Sequence, residues 1–345
     1  MEKYEVSYRA PSNIALVKYW GKKKVQIPMN PNLSFSLSSC HTTTTATFQK
    51  GNGEIRCWVD GLENLNFLPK IKAFVERIQA DFPEVSQYSI SIKTKNTFPH
   101  GSGIASSASG FAALALCFAD FYNQLYNQTM SEEFWQRASV WARLGSGSAS
   151  RSIYGGFVRW GVGEEDNPEN FSNQYATPIP KTMIHPDFLE IQDTILLVEN
   201  TEKSVSSSDG HALIDNHFFK EGRITQAKKH FTDCLSALRQ GNQNLLTEII
   251  ESEALSLHAL MQSSKPYFIL IKPNTLHIIQ KIWQWRRQKR IWIVFTLDAG
   301  ANVHLLHLHK DKEAVENFVK TVLSGFCKNG AYLRDRIGLG PIKLA

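Results

Sequence analysis

The chain has 345 residues, of which 42% are hydrophobic and 20% are charged, with a formal net charge of +6 at pH 7. This length is sufficient for two domains with a sizeable core, and the composition is that of an ordinary water-soluble globular protein. The sequence contains no run of about 18 apolar residues and its charged start is unlike a secretory signal, which excludes a membrane-spanning class and leads us to expect a cytoplasmic protein without a membrane partner.

The first predicted element is a strand over residues 4–10, where apolar and polar residues alternate. The next stretch, residues 10–22, reads Ala-Pro-Ser-Asn-Ile-Ala-Leu-Val-Lys-Tyr-Trp-Gly-Lys. Lys18 and Lys22 bracket apolar and aromatic residues in it and do not lie on an open charged face. One lysine at a strand end can extend its ammonium group into water. Two in this setting indicate an anionic partner.

Residues 33–80 are predicted to form strands followed by a helix. Apolar residues alternate with serines from Leu33 to Leu37, which predicts a strand. A threonine-rich segment at 42–45 leads through a Gly-Asn-Gly turn to an alternating segment at 55–59, and this pattern predicts a β-hairpin. Apolar residues at helical spacing then predict an amphipathic helix over residues 70–80.

The most informative stretch is residues 96–110, a loop of small residues between a predicted strand and a predicted buried helix. Glycine and serine let a polyphosphate approach the backbone, and the first turn and dipole of the helix favour an anion. The stretch lacks the lysine of a Walker loop, because Ala105 precedes Ser106, and it lacks the third glycine of a dinucleotide fingerprint. From the residues alone, a phosphate site and a flexible turn are both open.

The segment from Pro99 to Ala108, with the pattern Pro-x3-Gly-Ile-Ala-Ser-Ser-Ala, resembles the ATP loop of the GHMP kinase superfamily. The resemblance implies that ATP is a cosubstrate. It also implies that Mg²⁺ is held mainly by the nucleotide phosphates, with the hydroxyl of Ser106 or Ser107 as the candidate protein ligand. The residues implied in nucleotide binding are Pro99, Gly101, Ser102, Gly103, Ala105, Ser106 and Ser107.

A second small-residue loop, residues 143–152, follows a helix that is predicted to begin after Ser131 as its N-cap. Arg151 is embedded in this loop among glycines, serines and an alanine. Because these neighbours pack closely and have small side chains, the guanidinium group of Arg151 is expected to face a cavity. The planar fork of an arginine suits a carboxylate that it can bind with two hydrogen bonds. Arg151 is therefore a candidate carboxylate ligand.

A polar stretch at 163–187 indicates a surface excursion and a domain boundary, so we predict domains at 1–186 and 187–345. The apolar run 195–198 predicts a central strand of the second half. Two helices, separated at Gly241, are then predicted to cover one face of the C-terminal sheet.

A basic cluster at 286–290 follows two tryptophans. Basic residues beside aromatic ones can contact nucleic acid, but we favour the polar end of a helix just before a strand that starts at Ile291. We expect no nucleic-acid partner.

Asp298 is the main candidate catalytic group, because it ends an apolar strand, where a carboxylate needs a partner or a cleft. The alternative is that it caps the turn beginning at Gly300. The nearby histidines do not indicate a metal site. His304 points to the opposite strand face from His307 and His309, and no acid or cysteine lies at ligand spacing.

Four stretches, in order along the chain, resemble motifs of the diphosphomevalonate decarboxylase family: residues 10–22, 145–152, 205–210 and 296–302. The resemblance implies a two-domain α+β fold of the GHMP kinase type, in which each half is a mostly antiparallel sheet covered by helices and the active site lies in the cleft between them. It further implies a homodimer and a small-molecule substrate.

The implied reaction is the ATP-dependent decarboxylation of mevalonate 5-diphosphate to isopentenyl diphosphate, by phosphorylation of the 3-hydroxyl and loss of phosphate and CO₂. The implied catalytic residues are Asp298, Lys18, Arg151 and Asn13. The residues implied at the diphosphate are Tyr19, Lys22, Ser146, Gly147, Ser148 and Ser207.

The chain departs from the family pattern mainly after Ser207. His211 stands where the family usually has methionine, the family's Thr-Ser pattern is absent at 214–217, and Ser150 replaces a usual cysteine. These departures keep alternatives open: a decarboxylase of the monophosphate or of the 3,5-bisphosphate, a mevalonate 3-kinase, or a ligand sensor without turnover. Five scattered cysteines are expected to be reduced and mostly buried: Cys40, Cys57, Cys117, Cys234 and Cys327.

Overall fold

The computed structural model describes residues 3–99, 104–164, 166, 170–199 and 207–345, without the side chains of 207–209. The strands in these ranges are β1 (Lys3–Val17), β2 (Lys22–Lys23), β3 (Ile27–Pro28), β4 (Asn32–Lys50), β5 (Ile55–Val59), β6 (Leu62–Glu63), β7 (Tyr88–Asn96), β8 (Phe157–Trp160), β9 (Ala176–Pro178), β10 (Gln192–Leu196), β11 (Ile293–Thr296), β12 (Val303–His307), β13 (Tyr332–Arg336) and β14 (Ile342–Lys343). The α-helices are α1 (Leu68–Ile78), α2 (Ser106–Leu125), α3 (Glu132–Gly145), α4 (Ser207–Ala212), α5 (Lys220–Gln240), α6 (Gln243–Ser263), α7 (Pro273–Lys289) and α8 (Lys312–Phe318).

The larger sheet has the strand order β14-β1-β4-β7-β5-β6, and β8 also pairs with β4 and with β9. Helices α1, α2 and α3 share one hydrophobic core with this sheet. Every side chain from Ala112 to Ala119 of α2 is buried. The alanines in that run let α2 approach both the sheet and α3, so the helix is apolar around its whole circumference. Ser131 precedes α3 as predicted, but its side chain makes no capping hydrogen bond.

The predicted hairpin between residues 42–45 and 55–59 is wrong. Strand β5 pairs with β7 in parallel, from Ile55 opposite Ile90 to Val59 opposite Thr94, while β7 separates it from β4. Parallel neighbours need a crossover connection. Helix α1, which lies between β5 and β7 in the chain, provides it. The helix predicted at 70–80 is therefore confirmed, but the strand before it has a different neighbour.

The smaller sheet has the strand order β11-β12-β10-β13 and is antiparallel. The predicted central strand is confirmed, because β10 lies between β12 and β13. Helices α5 and α6 are also present, and α5 ends at Gly241 in the left-handed region at φ 72°. They do more than cover this sheet, since Phe231 and Ile249 share a core with Ile14 and Leu33 of the larger sheet. The two helices therefore fill the space between the sheets.

Several further expectations are tested by the fold. The basic cluster at 286–290 lies at the end of α7, three residues before β11, as predicted. All five cysteines are free and buried, which confirms that expectation. Within the described ranges, the helices are too short or too polar to cross a bilayer. The domain division at 186/187 stays a prediction; one C-terminal segment, β14, pairs with β1 of the larger sheet.

Candidate active site

Loops from both halves of the chain surround a cavity of about 220 Å³. The end of β1, the start of α2 and the 145–151 segment contribute to it from the larger-sheet side, and the segments around His211 and Asp298 contribute from the other. Among the lining residues are Asn13, Lys18, Tyr19, Lys22, Ala105, Ser107, Ser146, Gly147, Ser148, Arg151, His211 and Asp298.

Lys18 and Asp298 form an ion pair in this cavity. Lys18 Nζ lies 3.0 Å from Asp298 Oδ1 and donates a second hydrogen bond of 2.7 Å to the carbonyl oxygen of Ala15. The side chains are 2% and 22% exposed. Burial lowers the pKa of Lys18, although Asp298 opposes that shift. The pair therefore provides an acceptor beside an ammonium group that is poorly solvated.

Arg151 lies on a short 3₁₀ segment, residues 147–153, and is almost fully buried. Its Nε donates to Ser34 Oγ at 2.9 Å, its Nη2 donates to Asn13 Oδ1 at 3.2 Å, and its Nη1 donates to Asn32 Oδ1. Burial lowers the pKa of Arg151 to about 10, with Asp298 opposing the shift. Because these acceptors are neutral, the guanidinium charge is left to act on whatever occupies the cavity.

Asn13 is held in one orientation by its other contacts. Its Nδ2 donates to Ser152 Oγ at 2.8 Å and to the carbonyl oxygen of Ser148 at 3.2 Å, so its Oδ1 is directed at Arg151. The sequence did not indicate Asn32 and Ser34 as partners of Arg151. Both are fully buried in β4. A polar side chain at a buried strand position needs a hydrogen-bond partner, and this is the signal that could have identified them.

The predicted nucleotide loop is described only in part, because Gly101, Ser102 and Gly103 lie outside the described residues. Ala105 has φ 45°, and α2 starts at Ser106 without a side-chain cap. An uncapped first turn leaves backbone N–H groups for an anion. Ser107 lines the cavity with its hydroxyl 3.4 Å from that of Ser146. Pro99 is exposed just beyond β7.

Tyr19, Lys22, Ser146, Gly147 and Ser148 all line the cavity, as the sequence predicted for one site. A methyl group on Gly147 would lie 2.6 Å from Tyr19 Oη, so only glycine allows this approach. The Ser146 and Ser148 hydroxyls are 3.5 Å apart. The side chain of Ser207 lies outside the described residues.

His211 was noted in the sequence only as a departure, yet its ring lies inside the site. Its centroid is 4.4 Å from that of Tyr19 and 4.8 Å from that of Trp20. Its Nδ1 accepts the Gly21 N–H at 3.0 Å. Burial, together with Lys22 and Arg151, lowers the pKa of His211 to about 3. The ring is therefore neutral with its proton on Nε2.

The histidines near the C-terminus have structural contacts. His304 Nδ1 lies 2.7 Å from Asp193 Oδ2, and His307 Nδ1 lies 3.0 Å from the carbonyl oxygen of Leu308. In the part of the chain that is described, no group of three or more His, Cys, Asp or Glu side chains could hold a metal ion.

Two sheets flanked by helices, with an uncapped helix start and an ion pair between buried Lys18 and partly buried Asp298 around one cleft, place the chain in the class of GHMP kinase-like α+β proteins. The model for the diphosphomevalonate decarboxylase-like N-terminal domain matches residues 10–171, and that for the mevalonate 5-diphosphate decarboxylase C-terminal domain matches residues 194–336. The chain belongs to the diphosphomevalonate decarboxylase family.

Individual relatives agree over nearly the whole length. The diphosphomevalonate decarboxylase of Ganoderma lucidum is 31% identical over 98% of this chain and 86% of that protein. A structure of the mevalonate diphosphate decarboxylase from Enterococcus faecalis is 30% identical, with a TM-score of 0.84 over 99% of both chains. A structure of MDDEF in complex with MVAPP, AMPPCP and magnesium gives the same values.

Proposed function

We propose that this protein catalyses the ATP-dependent decarboxylation of mevalonate 5-diphosphate to isopentenyl diphosphate, ADP, phosphate and CO₂. The observation that carries the proposal is the Lys18–Asp298 ion pair of 3.0 Å in the same cavity as Arg151. A 3-hydroxy acid does not lose CO₂ and hydroxide readily, because hydroxide is a poor leaving group. Conversion of the hydroxyl to a phosphate ester removes that difficulty.

Asp298 is proposed to accept or orient the proton of the 3-hydroxyl group. The hydroxyl oxygen of the substrate attacks the terminal phosphorus of ATP, and the bond from that phosphorus to the ADP oxygen breaks. The ammonium group of Lys18 stabilises the negative charge of the carboxylate and of the transferred phosphoryl group. Its burial makes this charge more effective, since less water screens it.

The second stage is the loss of phosphate from carbon 3. The carbon–oxygen bond breaks with both electrons going to phosphate, and the bond between the carboxylate carbon and carbon 2 supplies the electrons of the new double bond as CO₂ leaves. Arg151 is proposed to hold the carboxylate, with Asn13 fixing the guanidinium beside it. The neutral acceptors around Arg151 support this role, because they orient the fork without cancelling its charge.

The polyphosphates are proposed to occupy the small-residue edges of the cavity. For ATP, the candidate ligands are Pro99, Gly101, Ser102, Gly103, Ala105, Ser106 and Ser107, and the uncapped first turn of α2 supports that assignment. For the substrate diphosphate they are Tyr19, Lys22, Ser146, Gly147, Ser148 and Ser207. Ser106 or Ser107 would be the protein ligand of a Mg²⁺ ion held mainly by the nucleotide phosphates, and that ion would neutralise part of their charge.

The finer expectations from the sequence also stand as proposals. We propose a cytoplasmic homodimer made of two-domain subunits divided at 186/187. The division is supported by the two family models, which match residues on either side of it. Light scattering at several concentrations tests the homodimer, and a monomer at micromolar concentration would contradict it.

The function is tested by an ATP-coupled assay with mevalonate, its 5-phosphate and its 5-diphosphate, scoring ADP and CO₂ separately. We expect equal amounts of both, with the diphosphate as the best substrate. ADP without CO₂ would indicate a 3-kinase, and a preference for the monophosphate would reassign the substrate. Binding without either product would indicate a sensor.

A further inference from the structure

Helix α6 lies beneath both members of the ion pair and contacts the backbone of each. Glu253 Oε2 accepts the backbone N–H of Lys18 at 2.8 Å, and His258 Nε2 lies 3.1 Å from the carbonyl oxygen of Asp298. A carbonyl oxygen can only accept, so Nε2 of His258 carries the proton. Glu253 and His258 are 0% and 2% exposed. Neither is among the described residues that line the cavity.

Glu253 is itself fixed by a buried network. Arg223 donates to both of its carboxylate oxygens at 2.6 Å, and His230 Nδ1 lies 2.7 Å from Oε1. Arg223 Nη2 also donates to the carbonyl oxygen of Lys18 at 3.4 Å. Both backbone polar groups of Lys18 are therefore tied to one charged cluster. A bidentate, fully buried pair of this kind has little freedom to shift.

Asp298 is fixed in the same manner from the other side. Its carbonyl oxygen accepts the Gly300 N–H at 2.6 Å in addition to the bond from His258. About two turns of helix before His258, Glu251 accepts the backbone N–H of Phe295 in β11 at 3.4 Å and pairs with Arg286 at 2.6 Å. The strand that leads to Asp298 and the residue itself thus rest on α6.

We infer that Glu253 and His258 are positioning residues, which together set the separation between the Lys18 ammonium group and the Asp298 carboxylate. The two partners come from residues 280 positions apart, and α6 is the common element that contacts both backbones. The inference rests on the proposed function, since it assigns these side chains to the reacting pair. Misplacing reacting groups by about 1 Å costs on the order of 10²-fold in rate.

The direct test is Glu253→Gln, with Asp120→Asn as a control far from the ion pair. Both changes remove a buried, ion-paired carboxylate, but Asp120 pairs with Lys343 and does not line the cavity, whereas Glu253 contacts Lys18. We expect Glu253→Gln to lower kcat about 10- to 100-fold with the KM values for ATP and substrate within about twofold. Asp120→Asn is expected to keep kcat within about twofold while it lowers thermal stability. Equal kcat for the two variants would overturn the inference.

The Glu253→Gln variant can also fail to fold, because the amide has no charge and only one oxygen to accept from the buried Arg223 guanidinium group. The decisive series is therefore His258→Leu and His258→Gln. Leucine removes the donor to Asp298, whereas the amide nitrogen of glutamine can replace Nε2. We expect His258→Leu to lower kcat about tenfold and His258→Gln to restore most of it. A glutamine variant as slow as the leucine variant, or a leucine variant within twofold of the parent, would contradict the positioning role.

A double-variant cycle separates positioning from general destabilisation. If His258 acts through Asp298, His258→Leu has no further effect on the residual rate of Asp298→Asn; an additive loss would refute the inference. ADP release is the readout, so the cycle holds for a decarboxylase and for a kinase. Independently of turnover, a crystal structure of His258→Leu should have the Lys18–Asp298 contact lengthened past about 4 Å, the salt-bridge limit. An unchanged contact would overturn the inference even if the proposed reaction were wrong.

Discussion

Replacement of Asp298 by asparagine is the sharpest perturbation of this site, because it removes one charge and preserves the size of the side chain. The carboxylate lies 3.0 Å from Lys18 Nζ. At an effective dielectric constant of about 20, two unit charges at that separation interact by about 5.5 kcal/mol. Asp298 is also the largest influence that opposes the burial-induced fall in the pKa of Lys18. The variant therefore lowers that pKa further and favours the neutral amine.

Two losses follow from the single change. In the proposed mechanism the site loses the acceptor for the hydroxyl proton, which is worth about 10²- to 10⁴-fold in rate, and it loses part of the ammonium charge. We expect kcat to fall by about 10³-fold. Nucleotide affinity should stay within about threefold, since the α2 start is untouched. Stopped-flow measurement of ADP and CO₂, with calorimetric nucleotide binding, checks both parts.

A matched control is Asp120→Asn. Asp120 is also a buried carboxylate, hydrogen-bonded to Tyr8 Oη at 2.7 Å and paired with Lys343 at 2.8 Å, but it lies outside the cavity. It should lower stability and keep kcat. An Asp298→Asn variant within tenfold of the parent, or an Asp120→Asn variant that loses as much activity as Asp298→Asn, would refute the role given to Asp298.

Three further predictions concern other parts of the site. Arg151→Lys keeps the positive charge but loses the planar guanidinium group that can donate two hydrogen bonds to a carboxylate. The value of kcat/KM for the substrate should therefore fall about 100-fold, equivalent to about 3 kcal/mol, with KM for ATP unchanged. A fall in kcat/KM of less than threefold would contradict carboxylate binding. Gly147→Ala puts a methyl group 2.6 Å from Tyr19 Oη, and the displaced ring should raise the substrate KM about tenfold at a cost of 1–3 kcal/mol; an unchanged KM in steady-state assays would exclude that clash. The pKa of Glu253 is lowered from 4.5 to about 2, because Arg223 and the hydrogen bonds from His230 and Arg223 outweigh the opposite effect of burial. Its stabilisation of about 3 kcal/mol is present above about pH 4.5 and lost as pH falls towards 2, so Glu253→Gln should have a flatter acid limb in urea unfolding than the parent.

Three charged residues singled out in the sequence lie around one cavity in the structure, but the sequence did not indicate the distant contacts that hold them. Lys18, Arg151 and Asp298 each stood out within a short stretch, because a charged group among apolar or small residues is unusual wherever the chain folds, and the three line one cavity. By contrast, the contact of Glu253 with Lys18 joins residues 235 positions apart. No local pattern in α6 distinguishes an acid that faces a partner just after β1 from one that faces solvent.

The same distinction holds for the fold: features of single segments could be predicted from the sequence, whereas contacts between distant segments could not. Helix α1 and the central position of β10 followed from periodicity and from an apolar run, which are properties of single segments. The pairing of β5 did not, since a turn signal at residues 51–53 describes the bend and not the neighbour. Likewise, the apolar faces of α5 and α6 could be located in the sequence, but their second role in joining the two sheets depends on both sheets being present.

The way in which Lys18 is buried links stability to chemistry. An ammonium group at 2% exposure is costly to remove from water. Its backbone carbonyl accepts from Asn30 at 3.1 Å and from Arg223, its N–H donates to Glu253, and its ammonium group contacts Ala15 and Asp298. An apolar side chain would need neither contact of the ammonium group, whereas the backbone contacts serve any residue at this position. The surrounding structure therefore fixes a charge that folding disfavours at the point where the proposed reaction develops negative charge. A Lys18→Met/Asp298→Leu double variant, which removes both charges of the pair, should gain thermal stability as it loses turnover. A double variant that melts below the parent would contradict this trade-off.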